Sequence, residues 1–170
     1  HHVVGGTISR AVANPTWNPI ARPGALHDYF RGNPEGRSPR EYLMDREPLP
    51  AEYVDRDARA ARIAEQGLEA VWLFPTLGVL YEELLKHDIE AVGAFMMGFN
   101  RWLVDHILKA DDRLKSMLYL PFSNPEASIK MVEEFAGEPG VIGFMVTSVR
   151  NQPVQANPYM KLYATLQERG

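Results

Sequence analysis

Three short apolar segments, each followed by a helix-type pattern, constrain the fold of this chain most strongly. They are Ala70–Pro75, Ser116–Pro121 and Val141–Val146. Each is nearly uniform in apolarity and rich in branched or aromatic residues, as strands buried on both faces are. A helical pattern lies in each gap, as right-handed crossovers between parallel neighbours require. The sequence therefore predicts an α/β protein with a parallel sheet, either an open doubly wound sheet or an arc of a (β/α)₈ barrel.

The first 50 residues differ in composition from the rest of the chain. They contain many of its backbone breakers, namely Pro15, Pro19, Pro23, Pro34, Pro39, Pro48 and Pro50. Val3–Ile8 contains a Gly-Gly pair between β-branched residues and predicts a small hairpin. Arg22–Phe30 predicts one short helical turn. We interpret residues 1–50 as an irregular Pro/Gly-rich segment and residues 51–170 as strand and helix units of the same domain.

Capping residues mark the helices of residues 51–170. A helix is predicted from Asp55 to Glu65, with Gly67 as its stop, and a short one from Gly78 to Lys86. Asp88 and Asn124 have the chemistry of N-caps, and Pro125 then takes the first helical position. The Asp88 helix is predicted to reach about Lys109, and the residues expected along its apolar side are Ala91, Phe95, Phe99, Trp102 and Ile107. Asn157-Pro158 starts the last helix.

Composition excludes several classes of protein. The net charge of -4, with 24% charged residues of both signs, provides no basic patch for nucleic acid. The chain has no cysteine, so it forms no disulfide and no thiolate site, which favours a cytoplasmic location. No apolar stretch approaches the ~18 residues that span a bilayer, so no membrane partner is expected. A nucleotide-binding sheet would need a glycine-rich phosphate loop, which is absent.

Four segments, in order along the chain, carry a resemblance to a known family. They are Asp57–Thr76, then Phe99-Asn-Arg-Trp-Leu103, then Asp112-Arg-Leu-Lys115 with Leu120-Pro121 and Asn124-Pro-Glu126, and finally Gly143–Tyr159 with the helix to Gly170. This set resembles the amidohydrolase-related proteins, in the branch of the metal-dependent hydrolase superfamily that includes aminocarboxymuconate-semialdehyde decarboxylase. The resemblance covers residues 50–170 best.

The resemblance implies a partial (β/α)₈ TIM barrel with parallel strands and outer helices. The chain begins at His1 without an initiator Met and stops after a helical pattern, so we expect an internal fragment running from after strand one to before strand five. The family's metal ligands are implied to lie on strands one, five and eight, outside these residues. The full-length parent protein would therefore bind a divalent metal, and zinc is the metal we expect. This fragment alone would bind none and would be inactive. Its open edges also predict poor solubility in isolation.

Four residues are candidates for substrate binding, because barrel enzymes place their chemistry in the loops after the strands. Thr76 and Phe122 follow the first two strands; their alternative roles are a helix cap and simple packing. Arg150 follows the third strand and could clamp a carboxylate, or be a solvated loop arginine. His27 lies in the Pro-rich segment, where a surface or capping role is the alternative. No catalytic residue is assigned within the chain.

The remaining polar residues are interpreted as structural. Glu82-Glu83 is expected to be a solvated acidic pair, Arg113 an ion-pair partner that holds its turn, and Asn100 and Arg101 helix-packing residues.

Two functions remain open at this stage. In the first, these residues are part of a metal-dependent hydrolase or decarboxylase that acts on a small organic substrate, carboxylated or cyclic. The full-length parent of this enzyme could be a homo-oligomer. The second is a non-catalytic α/β module whose Pro-rich N-terminal segment binds a partner protein.

Overall fold

The computed structural model describes residues 3–4, 6–8, 19–147 and 152–169. The chain divides into two compact units, residues 1–62 and 63–170. The prediction of one incomplete domain stays a prediction.

The first unit contains two small antiparallel ribbons. Strand β1 (Val3–Val4) pairs with β2 (Thr7–Ile8), with Val3 opposite Ile8, which confirms the predicted hairpin. Gly6 has a φ of 77°, the left-handed conformation that glycine adopts without strain. Strand β3 (Ile20–Ala21) pairs with β4 (Arg46–Glu47).

Short helices connect the second ribbon. Helix α1 (His27–Phe30) is the helical turn predicted within Arg22–Phe30, and α2 (Pro39–Leu43) follows it. Ser38 and Glu41 cap α2 reciprocally, side chain to backbone in both directions. A 3₁₀ turn over Ala51–Tyr53 leads to α3 (Arg56–Glu65), which begins in the first unit and ends in the second.

The second unit is built on a parallel sheet of three strands in the order β5-β6-β7. They are β5 (Val71–Leu73), β6 (Leu114–Tyr119) and β7 (Val141–Met145). Leu73 lies opposite Ser116, and Tyr119 lies opposite Met145. The predicted parallel arrangement of three neighbouring strands is confirmed. Closure of the sheet into a full barrel stays a prediction.

Helices occupy every connection between these strands, as the sequence predicts. Two lie between β5 and β6, one between β6 and β7, and one after β7. They are α4 (Thr76–Leu84), α5 (Ile89–Trp102), α6 (Pro125–Phe135) and α7 (Met160–Arg169). A π-helical turn (Leu103–Ile107) and a 3₁₀ turn (Leu108–Ala110) extend α5, and a 3₁₀ turn (Asn157–Tyr159) precedes α7.

Two of these helices have the predicted N-caps. The Asp88 carboxylate accepts a hydrogen bond from the Ala91 N–H at 3.0 Å. The Asn124 side chain accepts one from the Ala127 N–H at 3.0 Å, and it also donates to the Ile89 carbonyl. Asn124 therefore joins the start of α6 to the start of α5, in addition to satisfying one of the free N–H groups of α6.

The buried side of α5 differs from the predicted one. The residues with 0% exposure are Val92, Met96 and Asn100, four positions apart, whereas Trp102 is 50% exposed. The predicted apolar set is offset by one residue, and one residue rotates a helical face by about 100°. The predicted set contained only apolar residues, so it left out Asn100, which lies on the buried side. Asn100 tolerates burial since its amide donates to the Tyr119 carbonyl at 2.9 Å.

The side chains on one face of the sheet are more deeply buried than those on the other. Along β6, Leu114, Ser116 and Leu118 are buried, and the intervening Lys115 and Met117 are only half-buried. Side chains alternate along a strand, so Trp72, level with Lys115, shares the less covered face.

None of the described helices has the length and apolar character needed to cross a lipid bilayer.

Candidate functional site

The carboxyl ends of the three parallel strands define the place where ligands are expected. Strands β5, β6 and β7 all point the same way, so the segments that follow them emerge at one edge of the sheet. In barrels and in open parallel sheets alike, substrate sites lie at this edge. We call it the carboxyl edge.

A polar cluster at the carboxyl edge joins the segments that follow all three strands. Glu82 on α4 accepts hydrogen bonds from the Tyr119 hydroxyl and from the Ser123 N–H, the latter at 2.8 Å. The Tyr119 oxygen also lies 2.8 Å from the Thr147 hydroxyl. Tyr119 is the last residue of β6, and Thr147 comes two residues after β7. These residues, Glu82, Tyr119, Ser123 and Thr147, are called the edge cluster.

Tyr119 is the centre of the edge cluster and is fully buried. Burial, followed by the hydrogen bond to Glu82, raises the pKa of Tyr119 well above its ordinary value, and the Thr147 hydrogen bond opposes this in part. The phenol therefore keeps its proton at any working pH. Its chemical role is to hold orientation and hydrogen-bond direction, since a group this reluctant to ionise does not act as a base.

The structure overturns the interpretation of Glu82 as part of a solvated acidic pair. Glu83 is half-buried and forms an ion pair with Lys86 at 2.9 Å, whereas Glu82 turns toward β6. One signal in the sequence could have indicated this. Gly78 lies one turn before Glu82, and a Cβ on Gly78 would approach the Tyr119 Cβ to 3.0 Å. A glycine inside a helix indicates a close approach, and Glu82 shares its side of α4.

Ser123 adds a buried polar atom to the edge cluster. Its Oγ has no hydrogen-bond partner among the described residues, as is also true of the Asn100 Oδ1. A buried hydroxyl without a partner costs about 1–3 kcal/mol. The edge cluster thus retains hydrogen-bonding capacity that a ligand or water could satisfy.

Thr76 lies near the carboxyl edge but outside the edge cluster. It is the first residue of α4, and its N–H donates to the Phe74 carbonyl at 2.9 Å. The alternative of a threonine cap is wrong, because the cap position is Pro75 and no side-chain capping bond is formed there. Thr76 is exposed, and its contact with substrate stays a prediction.

Phe122 packs beneath the last helix. It is 7% exposed and stacks on Tyr159, with ring centroids 4.5 Å apart and an interplanar angle of 18°. It also lines an apolar cavity of about 470 Å³ between α6, β7 and α7. The packing role that the sequence left open is present, and a role in substrate binding stays a prediction.

The other two sequence candidates are His27 and Arg150. His27 is exposed at the start of α1 in the first unit, where its N–H donates to the Gly24 carbonyl at 2.8 Å. Arg150 lies outside the described residues. Their proposed contacts with substrate remain predictions.

The structural interpretations of Arg113 and Arg101 are confirmed. Arg113 binds Asp111, with Nη2 and Oδ2 2.6 Å apart. Hydrogen bonds from the Arg113 side chain, and then from its N–H, lower the pKa of Asp111 to about 2. Arg101 forms a two-pronged ion pair with Glu134 at 2.6 and 2.8 Å, which ties α5 to α6.

The described residues do not fit a catalytic metal. Within residues 3–4, 6–8, 19–147 and 152–169, no three His, Asp or Glu side chains converge as a metal site would require. The edge cluster contributes one carboxylate, and that carboxylate is already bonded to Tyr119 and Ser123. Any metal ligands would have to come from other residues.

Comparison with solved structures finds similarity to an amidohydrolase. The crystal structure of amidohydrolase map2389c from Mycobacterium avium subsp. paratuberculosis K-10 is 31% identical and superposes with a TM-score of 0.76. The match covers 98% of this chain and 45% of that chain, so the chain spans less than half the length of that amidohydrolase. No protein-family model matches the chain, and no curated protein matches it. The likeness supports the amidohydrolase-related assignment that the sequence segments suggested.

Proposed function

We propose that these residues form the second to fourth strand units of an amidohydrolase barrel, and that the complete protein is a metal-dependent hydrolase or decarboxylase. The observation that carries this proposal is the 31% identity and TM-score of 0.76 to an amidohydrolase across 98% of the chain. The parallel order β5-β6-β7 and the edge cluster are consistent with it. The finer assignment, to the branch that includes aminocarboxymuconate-semialdehyde decarboxylase, rests on the sequence segments quoted above.

The proposal divides the work between these residues and the rest of the protein. The metal, zinc in the first instance, would be held by side chains outside the described residues. These residues would supply one part of the substrate-binding rim, with Thr76, Phe122, Arg150 and His27 as the proposed contacts. The substrate would be a small carboxylated or cyclic compound, and the chain alone would be inactive. A cytoplasmic location and a homo-oligomeric parent belong to the same proposal.

The less covered face of the sheet supports the proposal that these residues are part of a larger barrel. Trp72 and Phe74 are 51% and 59% exposed, and their rings stack 4.9 Å apart. Large apolar residues on the face of a sheet are normally covered. Inward-facing layers of apolar side chains fill the interior of a closed barrel, which would account for both residues.

The test uses the complete protein encoded by the reading frame that contains these residues. The metal content is measured, and hydrolysis and CO₂ release are assayed with a panel of small carboxylic acids and cyclic amides. We expect about one divalent metal per protomer, with turnover that falls at least about 100-fold after chelation and returns on adding zinc. Full turnover by metal-free protein, or a complete protein that binds no metal, would overturn the proposal.

The alternative of a partner-binding module receives no specific support from the structure, so it is not developed as a second function.

A further inference from the structure

We propose that Thr147 is a specificity-determining residue whose oxygen accepts a hydrogen bond from an N–H or O–H group of the substrate. The inference rests on the proposed function, because it takes the carboxyl edge as the substrate site. It concerns the polarity of the substrate group that meets the edge cluster, which neither the fold nor the amidohydrolase likeness determines.

The hydrogen bonds of the edge cluster have a defined direction. As a carboxylate, the Glu82 side chain can only accept hydrogen bonds. The Tyr119 hydroxyl has a single proton, and it donates that proton to Glu82. The bond between Tyr119 and Thr147, at 2.8 Å, must therefore use the Thr147 proton and a lone pair of the tyrosine oxygen. With its proton so placed, Thr147 presents only acceptor lone pairs to an incoming ligand.

The surroundings of Tyr119 and Glu82 fix this direction. Tyr119 is 0% exposed, so water does not compete for its hydroxyl. The second oxygen of Glu82 accepts from the backbone N–H of Ser123 at 2.8 Å, which holds the carboxylate in place. Reversing the Thr147 hydroxyl would leave the buried tyrosine oxygen without its second partner.

A ligand at the carboxyl edge has access to Thr147. Thr147 is half-buried, in contrast to the fully buried Tyr119, and it follows β7 at the carboxyl edge. A ligand at this edge can therefore reach Thr147 but not the phenol behind it. The inferred ligand group is a neutral amide or hydroxyl. A carboxylate oxygen at the same place would meet acceptor lone pairs and no proton.

The probes are three compounds of similar shape that differ in donor capacity: benzamide, methyl benzoate and benzoate. Benzamide has an N–H donor, the ester has none, and benzoate is an anion. Their dissociation constants are measured by ligand-observed NMR titration of the complete protein. We expect benzamide to bind about tenfold more tightly than methyl benzoate, the effect of one hydrogen bond.

Variants separate the inference from a purely structural role for the edge cluster. Thr147→Val should abolish the preference for benzamide, and Thr147→Ser should keep it. Tyr119→Phe removes the acceptor that holds the Thr147 proton, so Thr147 should become a donor and methyl benzoate should gain severalfold in affinity. Thr165→Val is the matched control, because Thr165 bonds the Lys161 carbonyl within α7 and should leave all three affinities unchanged.

Each result bears on the inference independently of turnover. Equal binding of benzamide and methyl benzoate by the wild type, or no benzamide binding up to about 20 mM, overturns it. So does a preference that survives Thr147→Val, or an ester affinity that Tyr119→Phe leaves unchanged. If discrimination follows Thr147 as expected while metal-dependent turnover is absent, the proposed activity fails and the assignment of Thr147 stands. If metal-dependent turnover is present but benzamide and methyl benzoate bind equally, the proposed activity stands and the assignment of Thr147 fails.

Discussion

Replacing Tyr119 by phenylalanine should destabilise the complete protein by about 2 kcal/mol. The hydroxyl makes one bond to the Glu82 carboxylate and one to Thr147. A hydrogen bond to a charged group contributes roughly 1.5–3 kcal/mol and a neutral one roughly 0.5–1.5 kcal/mol. The lower end of each range applies, because Glu82 and Thr147 are partly exposed and water can replace the tyrosine hydroxyl as their hydrogen-bond partner. The ring itself is kept, so its packing against Gly78 does not change.

The assay is urea unfolding of the complete protein, comparing midpoints at equal slopes. Tyr163→Phe is the matched control, since the Tyr163 hydroxyl makes a single bond, to the Val154 carbonyl at 2.6 Å, at an exposed position. It should cost about 0.5 kcal/mol. A double-mutant cycle with Glu82→Gln should give a coupling of about 1 kcal/mol with Tyr119→Phe. Equal losses for the two tyrosine variants, or no coupling to Glu82, would refute the reasoning.

Two further predictions concern stability. Gly140→Ala should destabilise the fold by at least about 2 kcal/mol, because Gly140 has a φ of +85° and an added Cβ would lie 2.9 Å from the Leu114 carbonyl oxygen. Gly137→Ala is the control: Gly137 has a φ of +89° but nothing lies within 4 Å of an added Cβ, so the cost should be about 1 kcal/mol. Equal urea midpoints for the two variants would contradict this prediction. The lowered pKa of Asp111, about 2 against 3.8, stabilises the folded state fully above about pH 4, and this stabilisation is lost as the pH falls toward 2. In Asp111→Asn the free energy of unfolding should therefore fall less steeply between about pH 4 and pH 2 than in the wild type. The same pH dependence in both proteins would argue against the Asp111–Arg113 pair.

The sequence predicted the features of this fold that local chemistry determines. Apolar runs located β5, β6 and β7, and intervening helical patterns implied their parallel order. Asp88 and Asn124 cap their helices as expected, because a side-chain oxygen beside free N–H groups is a short-range interaction. Gly67, with a φ of 64°, ends α3 for a similar local reason.

The features that the sequence missed depend on partners far along the chain. Glu82 and Tyr119 are 37 positions apart, so no local pattern distinguishes this buried bond from a solvated acidic pair. Asn100 is buried because a carbonyl of β6 accepts its amide proton, and the hydrophobic pattern of α5 alone favoured the neighbouring face. Both misses share one cause, since each polar side chain is buried by a hydrogen bond to a partner that lies far along the chain.

The crystal structure of the complete protein tests the central claim most directly. The account predicts that β5 and β7 each pair with a further parallel strand, that Trp72 and Phe74 lie inside the closed sheet, and that a metal ion sits at the same rim as Thr147. A structure in which either strand remains an edge of the sheet, or in which the metal lies at the opposite ends of the strands, would contradict it.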